Sequence, residues 1–152
     1  MALQAEGKLS EAEDIDTRTL AIRRKRLGHE NAQIAVSLNN LGSVYRDRGK
    51  LKQAKAATLD ALEMRQKLFG SPSLEVADSL RNLSLILGDE RDWPAAANAR
   101  EVLAIRRKLL GSEHPWIASA LADVAWAVRE GHTNRPKQHR WKEKLWPCVK
   151  SS

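Results

Sequence analysis

The most restrictive feature of this sequence is an internal repeat of about 42 residues. Four residues of the stretch that runs from position 35 to 70 recur 42 positions later: Ala35, Leu38, Asn40 and Leu41 are matched by Ala77, Leu80, Asn82 and Leu83. A third copy begins 41 positions further on with Ala118, Leu121, Asp123 and Val124, and Gly7-Lys8-Leu9 matches Gly49-Lys50-Leu51. A constant period of this length is typical of a solenoid, in which each unit buries its apolar face only against its neighbours.

Each repeat unit consists of two predicted helices, here called the leading and the return helix. Apolar residues recur at helical spacing, and glycine or proline marks the ends of the segments. The predicted leading helices are 33–48, 74–88 and 116–130, and the predicted return helices are 8–27, 51–69 and 94–110. In the last leading helix the expected inward face is Ile117, Ala118, Leu121, Val124, Ala125 and Val128. The sequence therefore predicts an all-α solenoid of antiparallel helical hairpins over 1–131, in about three repeats that are incomplete at both ends, followed by a tail over 132–152.

Three positions predict local detail within this arrangement. Gly42 lies on the apolar face of its helix, where the missing side chain lets the partner helix approach closely. Arg91 stands where Gly49 provides the turn of the preceding unit, so the third unit has lost its turn glycine. If Ala96 is the counterpart of Ala54, one residue fewer separates Ala96 from Ile105 than separates Ala54 from Met64. This difference predicts a register adjustment inside the return helix 94–110.

Composition and charge restrict the function. The chain is 42% hydrophobic and 30% charged, as expected of a soluble chain that can fold. It has no apolar run of membrane-spanning length and no secretory signal, which predicts a cytoplasmic location. The net charge of +7 is uneven, because 132–152 carries six Lys or Arg against one Glu, while the rest of the chain has 20 Lys or Arg against 18 Asp or Glu. A nearly balanced array argues against a broad phosphate-binding face, whereas the tail can attract acidic surfaces.

The sequence carries no pattern of a catalytic or metal site. Its four histidines have no spacing that brings two ligands onto one helix turn, and the single cysteine, Cys148, cannot form an internal disulfide. A glycine-rich phosphate loop and a nucleophile elbow are also missing from the sequence. We therefore expect no enzymatic activity, no metal and no cofactor.

The unit A-x-x-L-x-N-L-G-x-x-Y-x-x-x-G-x-L-x-x-A, carried here by residues 35–54, resembles the tetratricopeptide repeat. The 42-residue period and the segments SLNNLGSVYRDRGKLKQA and LGSEHPWIA are similar to the kinesin-light-chain-type subclass. The likeness covers residues 7–130. It implies a right-handed superhelix whose leading helices line a concave groove for an extended peptide or a helix of a partner protein.

Transferred position by position, the resemblance places candidate peptide-binding residues on all three leading helices. They are Asn39, Asn40, Ser43, Arg46, Asp78, Arg81, Asn82, Leu85, Asp123, Trp126 and Arg129. The resemblance makes Asn40 and Asn82 clamps on a peptide backbone, and a carboxamide suits that role because it offers both a donor and an acceptor. Arg81, Leu85 and Trp126 are expected to tune selectivity.

Each of these interpretations has an alternative inside the array. Asn40 and Asn82 could hydrogen-bond to neighbouring helices instead of to a ligand. The groove arginines could pair with the aspartates interspersed among them, which favours a groove of mixed charge. Trp126 could anchor a peptide or pack beneath the tail.

The sequence thus predicts a non-catalytic scaffold that binds a segment of a partner protein in its groove. Two other functions stay open: binding of nucleic acid or an acidic surface through the basic tail, and a fragment of a larger repeat protein with no ligand of its own. Apolar surface at both ends of the array also predicts self-association through those ends. In the tail, Trp141, Leu145 and Trp146 are expected to cap the last helix. The alternatives are contact with a membrane or nucleic acid, and a tail with no evolved role.

Overall fold

The computed structural model describes residues 2–91 and 94–133, and this part of the chain consists of six helices and their connections. They are α1 (Ala2–Leu27), α2 (Ala32–Asp47), α3 (Leu51–Phe69), α4 (Leu74–Asp89), α5 (Pro94–Leu110) and α6 (Pro115–Thr133). Each helix packs against the next, and the leading helices α2, α4 and α6 also contact one another in succession. None of the described helices is long and apolar enough to cross a membrane. The predicted all-α solenoid is confirmed, and the predictions for the tail 132–152 concern residues that lie almost wholly outside the described range.

Helix boundaries are set by capping side chains and by residues of positive φ. Asn31 accepts a hydrogen bond from the backbone N–H of Gln33 at 2.8 Å and so caps α2. Ser73 caps α4 in the same way through the N–H of Val76 at 3.1 Å. The turn between α4 and α5 places Arg91 at φ 56°, which is the left-handed conformation that glycine usually supplies. The predicted loss of the turn glycine is therefore confirmed, with arginine in its place.

The first helix is longer than predicted. It begins at Ala2 instead of residue 8, and Gly7, which matches the turn residue Gly49, lies inside the helix. Alanine, leucine, glutamine and glutamate are good helix formers, so their propensity carries the helix across one glycine, which costs about 1 kcal/mol.

The predicted register adjustment inside 94–110 is wrong. The buried residues of α3 recur in α5, each 41 positions later: Ala54, Ala57, Thr58, Ala61, Leu62 and Arg65 become Ala95, Asn98, Ala99, Val102, Leu103 and Arg106. The counterpart of Ala54 is thus Ala95, and the missing residue falls in the turn before α5. A deletion inside a helix would rotate its apolar face by about 100°, whereas a turn absorbs the loss without moving that face.

The predicted close approach at Gly42 is confirmed. A Cβ atom on Gly42 would lie closer than 3.0 Å to the Oγ1 atom of Thr58 and 3.3 Å from the carbonyl oxygen of Ala54. Both distances are below normal van der Waals contact, so only glycine fits this crossing of α2 and α3.

The inward face of α6 is only partly as predicted. Ile117 is 4% exposed, and Ala120 and Ala127 are also buried, but the predicted inward residues Ala118 and Leu121 are exposed, as is Ala125. Val124 and Val128 are half-buried. The buried positions face the preceding return helix α5, whereas Ala118, Leu121 and Ala125 occupy the positions that in α2 and α4 face the following return helix. The described part of the chain has no return helix after α6.

Candidate peptide-binding groove

The candidate site is the surface of α2, α4 and α6 that carries the predicted peptide-binding residues, here called the leading-helix face. Hydrogen bonds and ion pairs across successive helices bring together six of the predicted residues: Asn39, Ser43, Arg46, Arg81, Asn82 and Asp123. The following contacts therefore decide which of these side chains are available to a ligand.

Asparagine and serine side chains join α2 to α4. The amide nitrogen of Asn82 donates to the hydroxyl oxygen of Ser43 at 2.9 Å and to the backbone oxygen of Asn39 at 3.2 Å. The hydroxyl of Ser79 donates to the amide oxygen of Asn39 at 3.1 Å. The amide nitrogen of Asn82 therefore hydrogen-bonds to the neighbouring helix, which was the alternative to binding a ligand. Only the amide oxygen of Asn82 is left for a ligand. Asn39 and Ser43 likewise serve the contact between helices.

Asn40 differs from its repeat counterpart Asn82. Its side chain is exposed and makes no hydrogen bond to any part of the chain that the structure describes. The full donor and acceptor capacity of this carboxamide faces solvent. Asn40 is therefore the predicted clamp residue that can pair with a peptide backbone without giving up an internal contact.

Two of the three predicted arginines of the leading-helix face pair with aspartates of the next unit. Arg46 on α2 contacts Asp89 on α4 at 2.5 Å, and Arg81 on α4 contacts Asp123 on α6 at 2.7 Å. Asp78 lies 3.5 Å from the buried guanidinium of Arg106. Such partly exposed pairs contribute about 0–1 kcal/mol each to stability. Their main effect on the site is to neutralise its charges and to fix the spacing of the helices.

Trp126 packs against a glycine of the preceding leading helix. A Cβ atom on Gly88 would lie closer than 3.0 Å to the outer edge of the indole ring of Trp126. The side chain is half-buried and belongs to the rim of the core formed by α4, α5 and α6. Trp126 thus offers only part of its ring to a ligand, and packing beneath the tail concerns residues outside the described range.

Apolar surface completes the leading-helix face. Leu85 is half-buried, Arg129 is exposed, and Val36, which the resemblance also places on the groove side of α2, is 41% exposed. Ser79 was missed, although its recurrence 42 positions after Ser37 is a signal that the sequence carries. No cluster of His, Cys, Asp or Glu that could hold a metal ion lies among the described residues. A ligand on this surface can therefore contact the free carboxamide of Asn40, small apolar patches, and ion pairs whose charges already neutralise each other.

The stacked hairpins define a helical-repeat solenoid, and comparison with known families agrees with that class. Residues 1–67 match one tetratricopeptide-repeat model and residues 76–115 match a second one. Together the two matches cover more than two thirds of the sequence. The chain belongs to the tetratricopeptide-repeat family, whose repeats are generally protein-interaction scaffolds and typically have no catalytic activity.

Three solved structures share this fold. The crystal structure of BtubC (BKLC) from P. vanneervenii is 24% identical, with a TM-score of 0.65, and the match covers 88% of this chain and 62% of that one. A protein of Podosopora anserina, assigned as a kinesin light chain with nearly identical TPR-like repeats, is 24% identical with a TM-score of 0.67, and the match covers 88% of this chain and 64% of that one. A single-residue variant of that Podosopora anserina protein is 22% identical with a TM-score of 0.70, and the match covers 98% of this chain and 68% of that one.

These structures confirm the resemblance to kinesin-light-chain-type repeats at the level of the fold. This chain spans 62 to 68% of the length of the three structures. No curated protein matches the sequence significantly.

Proposed function

We propose that this protein is a scaffold that holds an extended segment of a partner protein on the leading-helix face. The observation that carries the proposal is the exposed carboxamide of Asn40 on a surface where Asn82, Arg46 and Arg81 are already joined to neighbouring helices. A carboxamide that faces solvent can accept from a peptide N–H and donate to a peptide carbonyl, whatever the peptide's side chains are.

The contacts between the leading helices support this proposal energetically. Binding orders the groups at an interface, and each immobilised side chain costs about 0.5–1.5 kcal/mol. Arg46, Arg81 and Asn82 are already held by Asp89, Asp123 and Ser43 before any ligand arrives. Most of the ordering cost therefore falls on the peptide and little on the scaffold.

The same contacts suggest which peptides bind. Because Arg46 and Arg81 are each paired with an aspartate, an acidic peptide would have to break an existing ion pair to reach them. Val36, Leu85 and the exposed part of Trp126 favour apolar side chains instead. The proposed ligand is an uncharged segment with apolar residues, and its affinity should change little between low and physiological salt.

A peptide-display selection on the purified protein tests the proposal, with Asn40→Ala as the counter-selection. Asn40→Ala leaves every described contact between helices intact, whereas Asn82→Ala would also remove the bonds to Ser43 and Asn39 and so confuse binding with stability. The matched control is Gln53→Ala, which removes an exposed carboxamide from the return helix α3.

The expected result is a consensus motif that binds Asn40→Ala roughly tenfold more weakly, as the loss of one to two hydrogen bonds predicts. Gln53→Ala should bind that motif as the unchanged protein does. A selection that enriches nothing above the Asn40→Ala background would contradict the proposal.

A further inference from the structure

The two ends of the described array each expose one half of the interface that joins the helices of a hairpin. On α6 the exposed half consists of Ala118, Leu121 and Ala125. Leu121 is 45% exposed, whereas the matching residues Leu38 on α2 and Leu80 on α4 are 4% and 0% exposed. In α2 and α4 these positions are covered by the return helix of the same hairpin. The leading helix α6 therefore presents a surface made to receive a return helix.

The first helix exposes the other half. Ile15 is 55% exposed and Ile22 is 57% exposed on α1, although the matching residues Asn98 and Ile105 on α5 are only 1% and 6% exposed. In α5 these positions face the leading helix α4 of the same hairpin. The return helix α1 therefore presents a surface made to receive a leading helix.

We propose that a second copy of this chain covers both surfaces, with α1 of one molecule packed antiparallel on α6 of the next. The template for this contact occurs twice inside the molecule, as α2 against α3 and as α4 against α5. Leu38 and Ala57 belong to one apolar cluster, against which Met64 packs, so their repeat counterparts Leu121, Ile15 and Ile22 would form the same cluster across the paired molecules.

Size and charge are consistent with this pairing, with one exception. Gly42 and Ser84 stand where α2 and α4 approach their return helices, and the matching residue Ala125 is also small. The exposed Arg129 near the end of α6 would lie close to the first half of α1, which is rich in acidic residues. The exception is Asp16, because it occupies the position of the fully buried Thr58 and brings a carboxylate into the contact.

The proposed contact is heterologous, because it joins two different surfaces and leaves one of each free. Molecules joined in this way form open chains whose length grows with concentration. Because α6 and the neighbour's α1 reproduce a hairpin, the leading-helix face would continue from one molecule to the next. This pairing does not depend on the proposed peptide ligand, so a result that contradicts the pairing does not contradict peptide binding, and the reverse also holds.

Two single variants of the full chain test the pairing. Ile15→Glu removes the receiving surface on α1, and Leu121→Glu removes the one on α6. By sedimentation velocity over a wide concentration range, the unchanged protein should form a ladder of species, while each variant alone should stay a monomer. An equal mixture of the two variants should form dimers and nothing larger, since each molecule keeps one intact surface.

The control and a strengthening variant complete the test. Leu68→Glu changes an equally exposed leucine, 44% exposed, on neither surface and should leave the ladder unchanged. Asp16→Ala should tighten the association severalfold, because it removes the buried carboxylate. A protein that stays monomeric at every concentration, a variant mixture that fails to form dimers, or dimers that persist in only one of the two single variants would each overturn the proposal.

Discussion

Arg65 donates hydrogen bonds from its guanidinium to the hydroxyl oxygen of Ser79 at 3.0 Å and to the backbone oxygen of Glu75 at 2.8 Å. The arginine is only 6% exposed, and this burial lowers the pKa of its guanidinium below the ordinary value. The contact recurs at the other two junctions, where Arg23 donates to Ser37 and Gln33, and Arg106 donates to Ser119 and Trp116. An arginine thus joins the last turn of each return helix to the first turns of the next leading helix.

Replacing Arg65 with methionine should weaken the junction between the second and third units. Methionine fills part of the space but leaves the carbonyl of Glu75 and the hydroxyl of Ser79 with fewer partners, so the free energy of unfolding should fall by about 1.5–3 kcal/mol. Urea unfolding followed by circular dichroism measures the change. Arg26→Met, at an exposed site on α1, is the control and should unfold like the unchanged protein. Equal midpoints for both variants would show that the buried contact adds no stability.

The repeat could predict the fold but not these contacts. The period and the apolar spacing fix which residues face a neighbouring helix, and that is enough to place the six helices of the described residues. The partners of Arg65 lie 10 and 14 positions away across a connector, and that geometry exists only after the helices have packed. Asn40 and Asn82 show the same limit within the site, because identical residues at matched positions differ in which neighbour they meet.

Charged contacts were still less predictable, because the repeat conserves their position and reverses their sign. Glu13 on α1 pairs with Arg48 and Lys50, whereas 42 positions later Lys55 pairs with Glu90 at 2.9 Å. The two contacts join equivalent points of adjacent units. Aligning residue types therefore hides the correspondence, and only the packed helices reveal it.

Gly42→Ala should destabilise the first complete hairpin. The new methyl group would press on Thr58 and on the carbonyl of Ala54, so the free energy of unfolding should fall by about 1–3 kcal/mol. The buried hydroxyl of Thr58 has no hydrogen-bond partner among the described residues. Adding Thr58→Ala should therefore recover part of the loss, and a double-mutant cycle in urea measures this coupling. If the effects of Gly42→Ala and Thr58→Ala on the free energy of unfolding are additive, the contact with Thr58 is not the reason why position 42 requires glycine.

Arg91→Gly should stabilise the turn between α4 and α5. The left-handed conformation costs a residue with a Cβ atom about 1–2 kcal/mol, and the greater freedom of glycine in the unfolded chain offsets part of that gain. We expect the melting temperature to rise, with a gain in unfolding free energy of up to about 1 kcal/mol. The reverse change, Gly49→Ala in the equivalent turn, should lower it by a similar amount. A lower melting temperature for Arg91→Gly would indicate that the arginine side chain stabilises the turn.

Glu13→Gln should cost stability at neutral pH and nothing in acid. The hydrogen bond from Lys50, at 3.0 Å, lowers the pKa of Glu13 below its ordinary value, Arg48 acts in the same direction, and burial partly opposes both. A lowered folded-state pKa stabilises the fold above the unfolded value, and that contribution is lost as the pH falls through the folded value. Urea midpoints of the variant and the unchanged protein should therefore converge on acidification. A gap that stays constant with pH would rule out the ion pair as its cause.

Glu101→Gln should have the opposite effect. Burial raises the pKa of the Glu101 carboxyl above its ordinary value, so its charged form disfavours the fold at neutral pH. Glutamine removes that charge at similar size, and the variant should be more stable than the unchanged protein at pH 7. As the pH falls through the raised pKa, the native carboxyl takes up a proton and its penalty disappears, so the advantage of the variant should shrink. Glu11→Gln, at an exposed site on α1, is the matched control for the change of residue type. If Glu101→Gln instead lowers the melting temperature at pH 7, the carboxylate is held by a favourable contact that outweighs its burial.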